Sequence, residues 1–414
     1  MKHIELTEAI ISDFHQNGVI STLHNISNRP FSELEEELVK FSKERPIELI
    51  LPSLYSELEG PALNNIVNVL SKNKFLSYVT VGLDKANKSQ FKDAKKFFKK
   101  LNLPHSIIWN DGPRMKALDT LLKKEGLAPE HPGKGKNVWY CMGYVLSREK
   151  ARSIALHDCD ITTYNKELLA RLVYPVANPL FNYEFCKGYY PRVGDNKLNG
   201  RVTRLLVTPL LKTFKKVLGH RDYIEFIDVF RYPLAGEFSF RSRLLKELRI
   251  PSDWGLEIGI LSEMQRNQAH NRICQVDIAE VYDHKHQVLS VKDKTKGLSK
   301  MSIDISKTLI RKLAAQGDTF TYNILRTIKA TYYRNALDLL EIYHNDAKIN
   351  GLDININEEE IAIELFANNI ITAGQQFLDN PNENPLTPNW NRVQNALPDF
   401  KSKFIKAVQD DSSI

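Results

Sequence analysis

Cysteine is scarce and scattered: Cys141, Cys159, Cys186 and Cys274 are the only four, and no two form a C-x-x-C pair. That spacing excludes a disulfide framework and a cysteine-built zinc site, and it predicts reduced, buried thiols. Long apolar runs are missing as well. No stretch approaches the roughly 18 residues of a membrane span, and the opening MKHIELTEAIISDFHQNG is too acidic and polar for a signal peptide. No membrane partner is therefore expected, and the cytoplasm is the expected location. Internal repeats and low-complexity tracts are absent. What remains is a globular chain of 414 residues, 42% hydrophobic and 26% charged, enough for two domains with sizeable cores.

The net charge of +7 raises the question of nucleic acid. Part of the lysine sits in QFKDAKKFFKKL, where Phe91, Ala94, Phe97, Phe98 and Leu101 recur at helical spacing and leave Lys92, Lys95, Lys96 and Lys99 on wetter faces. Aromatics at apolar helix positions belong to a core rather than to base stacking. No nucleic-acid partner is expected, and an enzyme of anionic substrates would carry the same charge.

Residues 1–45 read as helical, with Ile10, Ile11 and Phe14 at apolar positions and a turn at NRPFSE. From residue 46 strands and helices alternate: IELILPSL, a helix opened by Pro61, FLSYVTVGL, the lysine-bearing helix, SIIW, a helix over 113–125, and SIALHDCDI. Such alternation predicts an α/β, Rossmann-like, mostly parallel sheet, whose ligands bind beyond the carboxyl ends of the strands. NYEFCKGYYPRV and QVDIAEVYDHKH read as further strands, with helices near 165–174, 200–218 and 254–267. The polar KDKTKGLSK breaks the pattern. The domain is therefore placed at 46–292 and an α-helical C-terminal appendage at 293–414, packed through apolar faces and expected to serve assembly rather than catalysis.

The chemistry concentrates at strand ends. Asp158 and Asp160 in HDCDI stand two apart, the period at which strand side chains share a face, so together they could chelate one cation, although an aspartate often simply ends a strand. Mg2+ or Mn2+ would suit, since such ions take few protein carboxylates and complete their shell with phosphate oxygens and water. Upstream, HPGKGK offers glycine backbone and Lys134 or Lys136 to a phosphate; downstream, His284 or His286 could add an imidazole. In PLAGE a tight turn precedes Glu237, and in WGLEIG Glu257 falls in the first turns of a helix. NGRVT sets Arg201, Thr203 and Arg204 after Gly200 at a helix start, where an anion would be welcome.

In order, LPSLYSE, PGKGKNVW, HDCDI, NGRVT, PLAGEFSFR, WGLEIG and DHKH resemble the retaining glucosyl-3-phosphoglycerate synthase family of nucleotide-sugar glycosyltransferases, over residues 47–290. The resemblance implies a GT-A fold, a nucleotide-sugar donor such as UDP- or GDP-glucose, a small phosphorylated or carboxylate acceptor such as 3-phosphoglycerate, Mg2+ or Mn2+, and a homodimer. Carried over by position, it puts Pro52, Ser53, Leu54 and Glu57 on the nucleoside, Lys134 on the diphosphate and Asp158 on the ribose or sugar. It makes Asp160 and His284 metal ligands, Gly200, Arg201 and Thr203 the acceptor site, and Glu257, with Asp158, the catalytic carboxylates. Tyr55 and Ser56 depart from the family's P-A-L-N-E-E. Alternatives are a mannosyl-transferring, mannosylglycerate-type synthase and a non-catalytic binding protein of the same fold.

Overall fold

A computed structural model describes Gln16 and residues 18–27, 29–284, 289–290, 293, 295–383 and 386–414. Its first elements are β1 (Ser21–Leu23), α1 (Phe31–Glu44), β2 (Ile47–Leu54), α2 (Pro61–Leu70), β3 (Leu76–Asp84), α3 (Lys88–Phe98), β4 (His105–Trp109), α4 (Pro113–Lys124), α5 (Lys134–Arg148) and β5 (Ser153–Leu156). There follow α6 (Lys166–Ala177), β6 (Phe185–Tyr189), a hairpin of β7 (Val193–Gly194) and β8 (Lys197–Leu198), a π-helical stretch Val202–Val207 leading into α7 (Thr208–Leu218), α8 (Asp222–Asp228), β9 (Phe238–Arg241), α9 (Leu256–Asn267) and β10 (Ile273–Asp277). The closing helices are α10 (Gly297–Ala315), α11 (Tyr322–Ile349), α12 (Ile356–Asp379), α13 (Trp390–Ala396) and α14 (Phe400–Ser412).

Eight strands form one sheet in the order β1-β10-β6-β9-β5-β2-β3-β4. Every neighbouring pair is parallel except those of β9, which runs antiparallel to both β5 and β6. The central strand β2 buries Ile47, Leu49, Ile50 and Leu51, residues of both faces, as a strand with helices above and below must. Local signals fix the helix starts: Pro61 at the first turn of α2, and a capping box between Asn87 and Gln90 for α3. The lysine-bearing helix buries Phe91, Ala94 and Phe98, so it contributes to the core as its spacing implied. All four cysteines are buried and unpaired.

Two strands depart from the sequence reading. Residues 1–45 are not wholly helical, because Ser21–Leu23 pairs in parallel with β10; Ile10, Ile11 and Phe14 lie outside the described residues. The partners that make Thr22 a strand residue include Gln275, whose side-chain amide donates to the Thr22 hydroxyl at 2.9 Å. The other is β9, four residues inserted between β5 and β6, too short for its alternation to stand out.

The C-terminal helices are built into the core. Trp390 stacks on Trp139 of α5 with ring centroids 4.3 Å apart, and each indole N–H donates to a carbonyl of the other segment, Trp139 to Pro388 and Trp390 to Trp139. Arg204 forks onto Glu359 of α12 at 2.9 and 2.6 Å, a buried pair whose two-point geometry compensates the loss of water. Among the described residues, no helix is long and apolar enough to cross a membrane.

Candidate functional site

A cavity of about 1250 Å3 opens where β2, β3 and β5 end. Parallel strands deliver their carboxyl ends to one edge of the sheet, and the loops leaving them form its walls. Pro52, Ser53 and Leu54 line it at the end of β2, with Glu57 one turn on. Sequence reasoning missed Asp84 and Asn110 beside them: the Asn110 amide donates to Asp84 at 2.7 Å, and burial pushes the Asp84 carboxyl up to about 6. An acidic end to β3 was visible in the sequence, but nothing local marks it as facing a ligand.

The glycine-lysine segment is a helix start. Lys134 is the first residue of α5, and its ammonium sits 2.6 Å from Asp158 and 3.0 Å from Glu257. Burial opposes charge on Asp158 and Lys134, but the pairing holds the Asp158 carboxyl below its ordinary value and the Lys134 ammonium well above its own. Gly236 permits this approach, since a Cβ there would stand 2.5 Å from an Asp158 oxygen. The turn carrying Gly236 is pinned from below by Lys187, which is wholly buried, donates to the Ala235 carbonyl at 2.6 Å and is pulled down by burial to about 8. Lys136, the other lysine of HPGKGK, pairs instead with Asp119 at 2.7 Å.

Asp158 and Asp160 do not stand on the strand whose alternation was to align them. β5 ends at Leu156, so both lie in the loop beyond it, and Asp160 turns to His284. An isolated bridge pairs Ile161 with His284, which sets the imidazole beside the carboxylate with Nδ1 3.7 Å from Asp160 Oδ2. Tyr282 anchors that segment by donating to Glu237 at 2.6 Å, while Tyr190 donates to the same carboxylate at 2.7 Å. Glu237 is therefore a buried hub rather than a cavity wall, and burial raises its carboxyl. Asp160 Oδ1 and His284 Nδ1 are both buried without a hydrogen-bond partner. Two such atoms side by side fit a cation that would satisfy both. Among the described residues, no three acidic, histidine or cysteine side chains converge as a self-sufficient metal site, so the rest of a coordination shell would come from ligand and water. His286 lies outside the described residues.

The NGRVT segment divides. Gly200, at φ +79° and close against Tyr232, and Thr203 line the cavity, and the Thr203 hydroxyl is buried without a partner. Arg201 does not join them. Its guanidinium leaves the cavity for α12, 2.7 Å from Glu358 and 3.7 Å from Glu359. Arg192, which sequence reasoning missed, lines the cavity beside Gly200, where a Cβ would stand 3.7 Å from its own; its Nε is buried without a partner and one Nη donates to the His284 carbonyl at 3.4 Å.

The expectation that the tail stands apart from the site is also corrected. Lys300, Met301, Asp304 and Lys307 of α10, with Glu383, line the same cavity. Lys300 pairs with Asp304 at 2.7 Å and Lys307 with Glu383 at 2.8 Å. On a sequence this helix shows only ordinary amphipathic lysines.

His157, behind Asp158, donates from Nδ1 to the Asp158 carbonyl and accepts from the Tyr164 hydroxyl at Nε2, at 2.9 and 3.1 Å, because a carbonyl can only accept. Burial lowers its pKa to about 4, from 6.5. Between those values the unfolded chain binds the extra proton, so stability should be intact above pH 6.5 and fall as pH drops towards 4. The expected slope is at most about 1.4 kcal/mol per pH unit. Denaturant titrations of His157→Gln against the parent would show a flatter dependence if this histidine is responsible.

No family model matches the chain. The glucosyl-3-phosphoglycerate synthase of Persephonella marina is 45% identical over 403 residues, covering 97% of this chain and 100% of that protein. That of Methanococcoides burtonii is 40% identical over 403 residues, covering 95% and 97%. Among solved structures, glucosyl-3-phosphoglycerate synthase from Mycobacterium tuberculosis in complex with Mn2+, UDP-glucose and phosphoglyceric acid matches with a TM-score of 0.52 at 21% identity, over 72% of this chain and 88% of that one. Its complex with Mg2+ and UDP gives 0.50 at 21% identity, over 71% and 86%. At that identity the likeness is one of fold, and it establishes the GT-A architecture with a helical C-terminal region. Near full-length identity to the two relatives is the stronger finding, and by it the chain belongs to the glucosyl-3-phosphoglycerate synthase family of glycosyltransferases.

Proposed function

We propose that the chain transfers glucose, with retention of anomeric configuration, from UDP- or GDP-glucose to 3-phosphoglycerate, using Mg2+ or Mn2+ held at Asp160 and His284. The observation that carries this reading is the meeting, in one cavity, of the Lys134–Asp158–Glu257 ion cluster, the unpartnered Asp160–His284 pair and the Gly200–Thr203–Arg192 corner. The M. tuberculosis structure holding Mn2+, UDP-glucose and phosphoglyceric acid supports it on the same fold.

Pro52, Ser53, Leu54 and Glu57 receive the nucleoside. The ammonium of Lys134 has three donors, two of them used by Asp158 and Glu257, which leaves one for the diphosphate. As the bond to the sugar breaks, negative charge grows on the departing phosphate, and a cation about 4 Å away stabilises it by about 4 kcal/mol at an effective dielectric of 20. A metal ion held by Asp160 and His284 would supply further positive charge at that group. Asp158 and Glu257 are tied to Lys134, which weakens both as nucleophiles and suits them to orient sugar hydroxyls. The acceptor hydroxyl attacks from the face the phosphate leaves and passes its proton to the departing oxygen, so no protein base is required. Gly200, Thr203 and Arg192 hold the acceptor phosphate, with Arg201 strapping the tail. Residues 46–292 form the catalytic unit and 293–414 an extension that closes its cavity.

The test is to supply UDP-glucose, GDP-glucose and GDP-mannose with 3-phosphoglycerate or D-glycerate, with Mg2+, Mn2+ or chelator, and to read the product anomer by NMR. An α-glucosyl product formed only with metal supports the reading. Inversion, preferred mannose transfer or full activity in chelator overturns it.

A further inference from the structure

The opposite edge of the sheet carries a second cavity, of about 470 Å3, which shares no lining residue with the first. Topology gathers arginines there. Arg45 stands two residues before β2, Arg152 one before β5 and Arg272 one before β10, while Arg241 ends the antiparallel β9, so all four arrive at the same edge. Arg243 follows in the next turn. Against these five guanidiniums the cavity sets two carboxylates, Glu44 and Glu184, which leaves three positive charges in excess.

Their positions are fixed from behind. Arg45 donates to the carbonyls of Asn178 and Pro179 at 2.6 and 3.1 Å, and Arg241 to those of Tyr183 and Phe181 at 3.2 and 2.9 Å. Arg243 forks onto the buried Glu184, whose other neighbour is Arg272 at 3.6 Å. Arg152 has no side-chain hydrogen-bond or ion-pair partner among the described residues. Burial, and then the like charges of Arg45, Arg243 and Arg272, lowers the pKa of Arg241. Crowding of this kind is unfavourable in the free protein and is relieved by an anion that several forks can grip at once. The volume lies within the range of small-ligand pockets, about 300–1000 Å3, and is too confined for a nucleic-acid track.

We infer that this arginine cavity is a binding site, separate from the catalytic one, for a small multivalent anion bearing a diphosphate group. The group arrives as inorganic pyrophosphate or carried on a nucleotide. Calorimetric titration of the full chain with pyrophosphate, in chelator and at constant ionic strength, tests it in three backgrounds. Lys134→Ala, which disables the catalytic cavity, should retain the binding. Arg152→Ala removes the one guanidinium with no internal partner and should weaken it about ten- to a hundredfold, with glucosyl transfer unchanged. Arg272→Gln gives an independent loss should Arg152→Ala fold poorly by circular dichroism. In the Lys134→Ala background, ADP binding as well as pyrophosphate identifies a nucleotide-borne ligand, and pyrophosphate alone a free one. Loss of all binding in Lys134→Ala, unchanged binding in both arginine variants, or equal displacement by chloride at matched ionic strength overturns the site.

Discussion

Asp160→Asn should lower kcat/KM by about a hundredfold and His284→Ala by at least about tenfold, because each removes one of the two protein atoms offered to the cation. The asparagine keeps the shape and loses the charge, so the loss should not be accompanied by unfolding. With both residues proposed to serve the same ion, the double variant should be little worse than Asp160→Asn alone. Mn2+ binding followed by electron paramagnetic resonance, in the presence of UDP, separates this from a structural effect. Each variant should weaken the metal while its thermal midpoint stays near that of the parent. Normal Mn2+ affinity in Asp160→Asn would leave the carboxylate as an ordinary loop residue.

Arg192→Ala should raise KM for 3-phosphoglycerate by about ten- to a hundredfold, the cost of one charge-assisted contact, and leave KM for the nucleotide sugar nearly unchanged. D-Glycerate lacks the phosphate and should respond less. Arg201→Ala is expected to behave differently: its ion pairs reach Glu358, which is largely exposed, and Glu359, which Arg204 already satisfies. Its loss should cost about 1 kcal/mol of stability or less and leave acceptor KM within about twofold. Steady-state kinetics of the two variants side by side decide between the arginines. A silent Arg192→Ala beside a damaged Arg201→Ala would return the phosphate to the arginine of NGRVT.

The reversal at these two arginines shows where sequence stops being informative. Strand and helix alternation is a local property, so β2, β3, α2 and α3 were legible from their own periods, and with them the edge on which ligands gather. Lys134, Asp158, Glu257, Asp160 and His284 were legible through motif order, and all five line one cavity. Arg201 pairs outside the cavity with Glu358, which lies 157 residues further on. Nothing near Gly200 announces a competing carboxylate. Arg192 was overlooked because it ends a strand-like run and has no motif around it. The same distance hid Lys300 and Lys307, whose helical spacing is that of any solvated face until α10 is laid over the cavity. Short strands suffered for another reason: β1 is held at the sheet edge by β10, and β9 by β5 and β6 on either side, not by their own composition.

The Trp139–Trp390 stack joins residues 251 positions apart, and this bears on how the chain is made. On a ribosome, α5 emerges long before the indole that covers it, so Trp139, Tyr140 and Tyr144 spend that interval without Trp390 and Phe404 against them. At about 5–20 residues per second the wait lasts on the order of 10–50 s. A nascent chain with an aromatic face open for that time is a natural client for a chaperone. Its cavity also lacks the wall formed by α10, so an unfinished polypeptide can gather its strands yet has no complete place to hold both substrates. Emergence of α10, rather than completion of the sheet, is then the event that closes the cavity.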